Sequence, residues 1–328
     1  MSSLVQSKNA INRFYSKYAA YINPFLKFIL ALLVFFIIDV KMGYMDKISG
    51  GAIILLVALF CSFMPLTFMA LIEGVFILLH LYALSLEMAI VAAAVMFMMF
   101  ILFLRFTPKE AVVMLLMPIF FILKIPYLLP LVVGLVGTPV SVISVAFGVI
   151  IHYIITFASN NEELFTSGAE QNIVNQIRTI VDGLIANKSM IAVIVCFSIV
   201  LLVVYFIRRL KINYSWSLAV AAGAFVNLIV MFVCYSKIKE DYSLGGVVLG
   251  TIFSALLALV VVFFVHNLDY RRIENHQFED DEYYYYVKAV PKMGMTGANK
   301  KRAARPESAQ RGNTEHTYKT ANGVRRTT

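Results

Sequence analysis

Charged residues are scarce in this chain, and their scarcity excludes an ordinary water-soluble domain. Asp, Glu, Lys and Arg make up 14% of the 328 residues, whereas soluble domains carry about 25%. Hydrophobic residues make up 60%, and the mean hydropathy is +0.81. Because so apolar a chain needs lipid as its solvent, we expect an all-α polytopic membrane protein, held in the lipid bilayer.

The motifs of the common enzyme classes are also missing. The sequence contains no HExxH, GxSxG, Walker A or GxGxxG pattern. Its three cysteines (Cys61, Cys196 and Cys234) lie in apolar runs without CxxC spacing, and its five histidines are scattered. We therefore expect no enzymatic activity, no metal site and no cofactor.

Net charge is nearly absent from most of the chain. Residues 283–328 hold ten Lys or Arg and two Asp or Glu, whereas residues 1–282 hold 18 basic against 17 acidic side chains. The tail therefore holds +8 of the net charge of +9, and this charge indicates no specific nucleic-acid partner.

The apolar run 111–157 is the centre of the sequence. It is too long for one span of about 20 residues, and it contains four prolines, of which Pro126, Pro130 and Pro139 are expected to break helices. Pro65 has the same effect in the run 51–84, so we expect short helices over 51–64 and 65–80 there, and over 110–123 and 126–137 in the later run. Because broken backbone in a membrane survives only inside protein or beside a water-filled cavity, we expect these short helices in the bundle interior.

Basic loops predict the topology. If each proline-broken run crosses twice, the chain makes about ten crossings; if each crosses once, or is re-entrant, the count is about eight. Both counts place the N- and C-termini in the cytoplasm. The shared order of short helix, proline, short helix and full span in 51–104 and 110–157 is compatible with inverted three-helix repeats.

The predicted organisation has six parts. They are a cytoplasmic N-terminal segment (1–21), a first membrane bundle (22–157), an extracytoplasmic segment with an amphipathic helix (158–190), a second membrane bundle (191–266), a cytoplasmic acidic and Tyr-rich segment (267–293) and a disordered basic tail (294–328).

Ionisable residues at membrane depth give the candidate ion pathway. Glu73 and His80 are seven residues apart, so they share one face of a helix, and we expect them to form a polar centre with Lys124 as counter-charge. The plainer interpretation is a structural pair between Glu73 and Lys124 or Lys27, with His80 at an interface.

The last span carries small residues four apart, at Gly246, Gly250 and Ser254. Such a ridge lets another helix approach closely, either within the bundle or across a homodimer.

The Tyr-rich segment is the candidate docking site for a cytoplasmic partner, such as an ATPase. Tyr283, Tyr284, Tyr285 and Tyr286 favour an extended strand, and the segment shows no clear second strand, so we expect the strand to pair with the edge of a partner's sheet.

The same stretch carries a family resemblance. The run 278–289, FEDDEYYYYVKA, resembles the tail of an uncharacterised multi-pass membrane protein family of low-GC Gram-positive bacteria. Members of that family are sometimes labelled ABC transporter permeases. The resemblance implies residence in the bacterial cell membrane and implies no catalytic residues.

Two functions remain open from the sequence. One is a permease or transporter component that moves a solute past Glu73 and His80. The other is a membrane scaffold that recruits a cytoplasmic partner through the Tyr-rich tail.

Overall fold

The helices form because long apolar runs in a membrane must satisfy their backbone hydrogen bonds internally. The structure is a computed structural model that describes residues 2–166, 173–210, 212, 214–238, 243–265, 274–279 and 284–289. These residues fall into a helical unit, up to Val265, and a separate unit that contains two strands. Tyr283 and the basic tail 294–328, for which the sequence makes predictions, lie outside the described residues.

The first half of the helical unit comprises seven α-helices and two short 3-10 turns. The turns are Pro108–Glu110 and Pro139–Ser141; the helices are α1 (Ser2–Met42), α2 (Gly51–Phe63), α3 (Leu66–Leu84), α4 (Leu86–Phe106), α5 (Ala111–Ile122), α6 (Leu128–Val136) and α7 (Val142–Asn160).

The second half of the described helical unit adds two short helices and three long ones. They are α8 (Glu162–Thr166), α9 (Ile173–Ile185), α10 (Lys188–Arg208), α11 (Ser215–Ile238) and α12 (Leu244–Val265). In the described residues, six helical segments are long and apolar enough to cross a membrane: Leu66–Leu84, Leu86–Phe106, Pro139–Asn160, Ile177–Arg208, Ser215–Ser236 and Leu244–Val265. The expectation of a multi-pass helical membrane protein is confirmed.

Two hydrophobic cores hold this unit together. The first is built mainly on α1 to α4, with α9 covering it through buried Ile180 and Leu184. The second is built mainly on α6 and α10 to α12. Both cores draw residues from α5 and α7, so these two helices join the halves.

The two proline-broken runs differ in structure. The helix after Pro65, expected to end at His80, continues to Leu84 and is long enough to cross a membrane. By contrast α5 and α6 have 12 and 9 residues. At 1.5 Å per residue, α5 is about 18 Å long and α6 about 14 Å, well short of the roughly 30 Å hydrocarbon layer.

Helices α5 and α6 start and finish at the same end of the bundle. Glu110, just before α5, accepts a hydrogen bond from Ser141, and Thr107 accepts one from Ser144, at 2.5 and 2.7 Å. Ser141 ends the 3-10 turn that follows α6, and Ser144 lies in the first turn of α7. The pair is therefore a helical hairpin that enters the bundle, turns at residues 123–127, and returns.

The second unit is a β-hairpin. Strand β1 (Glu274–Glu279) pairs antiparallel with β2 (Tyr284–Ala289), with Glu279 opposite Tyr284 and Phe278 opposite Tyr285. The Tyr-rich segment is extended as predicted, but the expectation that it lacks a second strand is wrong. The segment Glu274–Glu279 supplies that strand. It contains no β-branched residue, so its pairing with β2, rather than its own propensity, accounts for the extended conformation.

Candidate functional site

Glu73 is fully buried in the middle of α3. Its exposed fraction is 0%, and neither carboxylate oxygen has a hydrogen-bond partner. The next residue, Gly74, lets α4 approach closely, since a Cβ there would lie 2.9 Å from the Phe100 ring and 3.1 Å from the Met96 methyl. An unpaired carboxylate at this depth costs about 3 kcal/mol or more, so Glu73 is the most expensive polar group in the described core.

His80 lies two turns further along α3 and is also fully buried. Its Nδ1 accepts a hydrogen bond of 3.4 Å from the backbone N–H of Met45, while its Nε2 has no partner. Because Nδ1 is the acceptor, a neutral ring carries its proton on Nε2. The structure therefore leaves a buried N–H donor unsatisfied at this end of α3.

Polar groups from three other elements surround this end of α3. Asp39, in the last turn of α1, acts electrostatically on His80, and its Oδ1 is buried without a partner. The hydroxyl of Tyr44, in the turn after α1, is buried without a partner as well. Burial, together with the nearby carboxylate of Glu162 at the start of α8, raises the pKa of Tyr44 to about 12. We call Asp39, Tyr44, His80 and Glu162 the outer polar cluster.

Lys124 is not the counter-charge of Glu73. It lies at the apex of the α5–α6 hairpin with a positive φ of 59°, its residue is exposed, and no ion pair joins it to Glu73 in the described chain. Lys27 is not the partner either, because its Nζ donates to the Met64 carbonyl at 3.1 Å. Glu73 and His80 of the expected polar centre thus lie on one helix, but neither Lys124 nor Lys27 provides the expected counter-charge.

The prolines mark three helix boundaries. Pro65 lies immediately before α3, Pro126 in the apex between α5 and α6, and Pro139 at the start of the 3-10 turn that leads into α7. Pro130 is a correction, since it is the third residue of α6 and the helix continues to Val136. In the first turn a proline removes no intrahelical hydrogen bond, so it does not interrupt the helix.

The small-residue ridge of α12 packs within the bundle. A Cβ at Gly250 would lie 2.7 Å from the Lys124 carbonyl oxygen and 3.0 Å from the Tyr127 ring, so this glycine makes room for the apex of the α5–α6 hairpin. Ser254 is fully buried one turn further along, whereas Gly246 is exposed near the start of the helix.

Asn227 is a buried polar residue that the sequence reasoning missed. Its Nδ2 donates to Thr251 Oγ1 at 2.8 Å, and its Oδ1 accepts from Cys196 Sγ at 3.5 Å, which links α10, α11 and α12. Thr251 donates in turn to the Val247 carbonyl. An asparagine in the middle of an apolar span was the available signal. Because this network is satisfied, it fixes the packing of three helices, in contrast to the unpaired Glu73.

His152 also belongs to the packing rather than to the polar centre. Its ring stacks on Phe121 of α5 with centroids 3.9 Å apart, and its Nε2 lies 3.4 Å from the Thr156 hydroxyl. Among the residues that the structure describes, no group of three or more His, Cys, Asp or Glu side chains is placed to hold a metal ion.

No known protein decides between these arrangements. Comparisons with protein-family models, curated proteins and solved structures found no match. The geometry of Glu73 and its surroundings is therefore the basis of the functional proposal.

Proposed function

We propose that this protein is a permease or transporter component of the bacterial cell membrane, in which Glu73 binds a cation or a proton during transport of a solute. The observation that carries the proposal is a buried carboxyl group in the middle of α3 that has neither a hydrogen bond nor an ion pair among the described residues. A group of this kind costs stability unless a ligand reaches it, and ionisable residues inside membrane proteins commonly mark ion pathways.

The proposed topology has eight crossings and one re-entrant hairpin. The crossings are α1, α2, α3, α4, α7, α10, α11 and α12, with α5–α6 entering and leaving on the cytoplasmic side. Helix α2 has only 13 residues and is proposed as a short crossing packed along α1. Its support is that Arg105, Lys109 and Arg208 then share the cytoplasmic end, as basic residues do in membrane proteins. Arg208 reaches that end directly, since its guanidinium donates to the Gly137 carbonyl at 2.7 Å.

The re-entrant hairpin suits a transporter. Half-length helices at membrane depth are tolerated when protein surrounds them, and here α6 packs against α10, α11 and α12. Transporters use such interrupted helices to offer backbone groups to a solute within the bilayer.

The proposal is tested by reconstitution with a matched pair of variants. Proteoliposomes that contain wild-type protein are incubated with a mixture of labelled nutrients, and their contents are compared by mass spectrometry with those of the Glu73→Gln variant. We expect one solute or class to accumulate with wild type and to fall by about tenfold with Glu73→Gln, because the amide cannot bind and release a proton or cation. Glu87→Gln is the control, since Glu87 lies at the start of α4 and accepts from Ser85 at 2.7 Å.

A membrane scaffold remains the second candidate, and the β-hairpin favours it. Two strands alone are marginally stable, and each strand of this sheet has one edge that is unpaired within the described strands. A cytoplasmic protein that adds a strand to either edge would stabilise it. Deletion of 274–289 should abolish the activity of a scaffold and leave the solute uptake of a transporter measurable.

A further inference from the structure

An aromatic pair separates Glu73 from the outer polar cluster. Phe76 lies between Glu73 and His80 on the same face of α3, at spacings of three and four residues. Its ring meets the His80 ring edge-on at 4.8 Å and the Phe35 ring of α1 at 5.2 Å. Phe35 and Phe76 are 0% and 5% exposed. Phe76 therefore lies between the imidazole and the carboxyl group along this face of α3, and Phe35 packs against it from α1.

The polar groups on the two sides of the rings are complementary. On the outer side, His80 Nε2, Asp39 Oδ1 and the Tyr44 hydroxyl are buried without hydrogen-bond partners. On the inner side, both Glu73 carboxylate oxygens are also buried without hydrogen-bond partners among the described residues. Unsatisfied buried groups are rare in folded proteins, so their accumulation along one face of α3 and the adjoining end of α1 calls for a common explanation.

The ligand that fits Glu73 is a proton. A hard metal cation takes about six oxygen ligands, whereas neither Glu73 oxygen has a hydrogen-bond partner among the described residues. A proton needs one oxygen and removes the charge that makes the buried carboxylate costly. Asp39, Tyr44, His80 and Glu162 are all side chains that take up and release protons.

We propose that protons are the ions that Glu73 binds, that they reach it from the outer polar cluster through His80, and that Phe35 and Phe76 form the gate between His80 and Glu73. The inference rests on the proposed function and names its coupling ion and entrance. When Phe76 moves aside, water fills the gap of about 10 Å between the two positions on the helix. A protonated His80 gives a proton to this water, the water gives a proton to the Glu73 carboxylate, and a neutral imidazole and a neutral carboxylic acid remain.

The other charged groups near α3 lie towards the ends of the bundle. On the described elements that contact α3 they are Lys8, Arg13, Lys17, Lys27, Asp39 and Lys41 of α1, Glu87 and Arg105 of α4, Lys109 and Glu110 before α5, and Glu162 and Glu163 of α8. Glu110 is held by Ser141 at the opposite end from His80. The outer polar cluster contains His80, the titratable side chain that shares one face of α3 with Glu73.

The gate is tested by proton leak through proteoliposomes that contain a pH-sensitive dye and carry a valinomycin-induced potassium diffusion potential. Removal of the Phe76 ring should open the route, so we expect Phe76→Ala to raise the rate of proton entry by about tenfold over wild type. Phe103→Ala is the matched control. Phe103 of α4 is a fully buried phenylalanine of the same hydrophobic core, and its ring packs against Phe100 rather than against His80. Phe76→Leu is the second variant, for use if Phe76→Ala folds poorly. It keeps a bulky apolar side chain, so its rate of proton entry should stay close to that of wild type.

Second substitutions identify the route. In the Phe76→Ala background, Glu73→Gln and His80→Gln should each return proton entry to the wild-type rate. Equal leaks from Phe76→Ala and Phe103→Ala, or a leak that persists with Glu73→Gln, would overturn the gate. A failure to leak in both Phe76→Ala and Phe76→Gly would overturn it too.

The two proposals fail in different ways. If solute uptake requires Glu73 but depends on a sodium gradient and survives collapse of the pH gradient by nigericin, the transporter proposal stands and the proton inference falls. If uptake by Glu73→Gln equals that of wild type, the proposed function falls, whatever the leak measurements show.

Discussion

At the scale of single residues, the burial of Glu73 lowers the stability of the fold. Its two oxygens lose their hydration on folding and gain no hydrogen bond among the described residues. A buried polar group left unsatisfied lowers the free energy of unfolding by about 1–3 kcal/mol. Replacement by methionine, which has a similar volume, should therefore raise the melting temperature of the detergent-solubilised protein while abolishing uptake. Thermal melts followed by circular dichroism measure this. Glu110→Met is the comparison and should lower the melting temperature, because Glu110 accepts from Ser141.

Gly250 makes a second residue-scale prediction. A methyl group there would press on the Lys124 carbonyl oxygen and the Tyr127 ring, so Gly250→Ala should destabilise the fold by about 1–3 kcal/mol. Gly245→Ala provides the control, since a Cβ at that position meets nothing within 4 Å. Unfolding in mixed detergent micelles compares the two; equal effects would mean that the apex does not pack on α12 as described.

Residue identity predicted this site only in part. The burial of Glu73 and His80 on one face followed from their spacing in an apolar run. The pairing with Lys124 did not, because a counter-charge depends on where a distant loop lies. Lys124 proved to be at the exposed apex of a hairpin. Asn227 was equally visible in the sequence, but its hydrogen bonds to α10 and α12 depend on helix packing that no local pattern encodes.

At the scale of elements, the α5–α6 hairpin distinguishes the topologies. If it is re-entrant, Leu123→Cys at its apex lies inside the membrane and should resist a membrane-impermeant thiol reagent from either side. Asp46→Cys should react from outside and Lys109→Cys from inside, both in a background without the native cysteines. Rapid labelling of Leu123→Cys from outside would restore the ten-crossing topology.

Element boundaries were predictable where proline and glycine fix them. The expected helices 110–123 and 126–137 correspond to Ala111–Ile122 and Leu128–Val136. The continuation of α3 past His80 to Leu84 was not foreseen, because nothing in Leu81, Tyr82 or Ala83 stops a helix and histidine alone is no terminator. Strand β1 was missed for the opposite reason, since Asn275, His276 and Gln277 have little strand propensity of their own.

At the scale of the whole molecule, the helical unit and the hairpin unit are separate compact bodies. Truncation after Val265 should therefore leave the melting temperature of the helical unit unchanged, because its two hydrophobic cores draw only on residues up to Val262. Circular dichroism of the truncated and full-length proteins tests this. A markedly lower melting temperature would show that residues 266–328 stabilise the bundle.

The whole-molecule arrangement was the least accessible from sequence. Composition predicted a multi-pass membrane protein, but the division into two cores bridged by α5 and α7 arises from long-range packing. The segments 51–104 and 110–157 were expected to share an order of helices. Their corresponding helices differ in length, because α3, after Pro65, has 19 residues and α6, after Pro126, has 9.

The contact between Lys8 and Phe263 joins the beginning of the helical unit to its end. The Lys8 ammonium group donates to the Phe263 carbonyl oxygen at 2.7 Å, so the first helix and the last one meet on the same side. Chain ends that lie this close can be fused by a short linker and the chain reopened elsewhere. A circularly permuted protein, with Val265 linked back to Ser2 and new termini within 167–172, should therefore still fold into the same helical bundle.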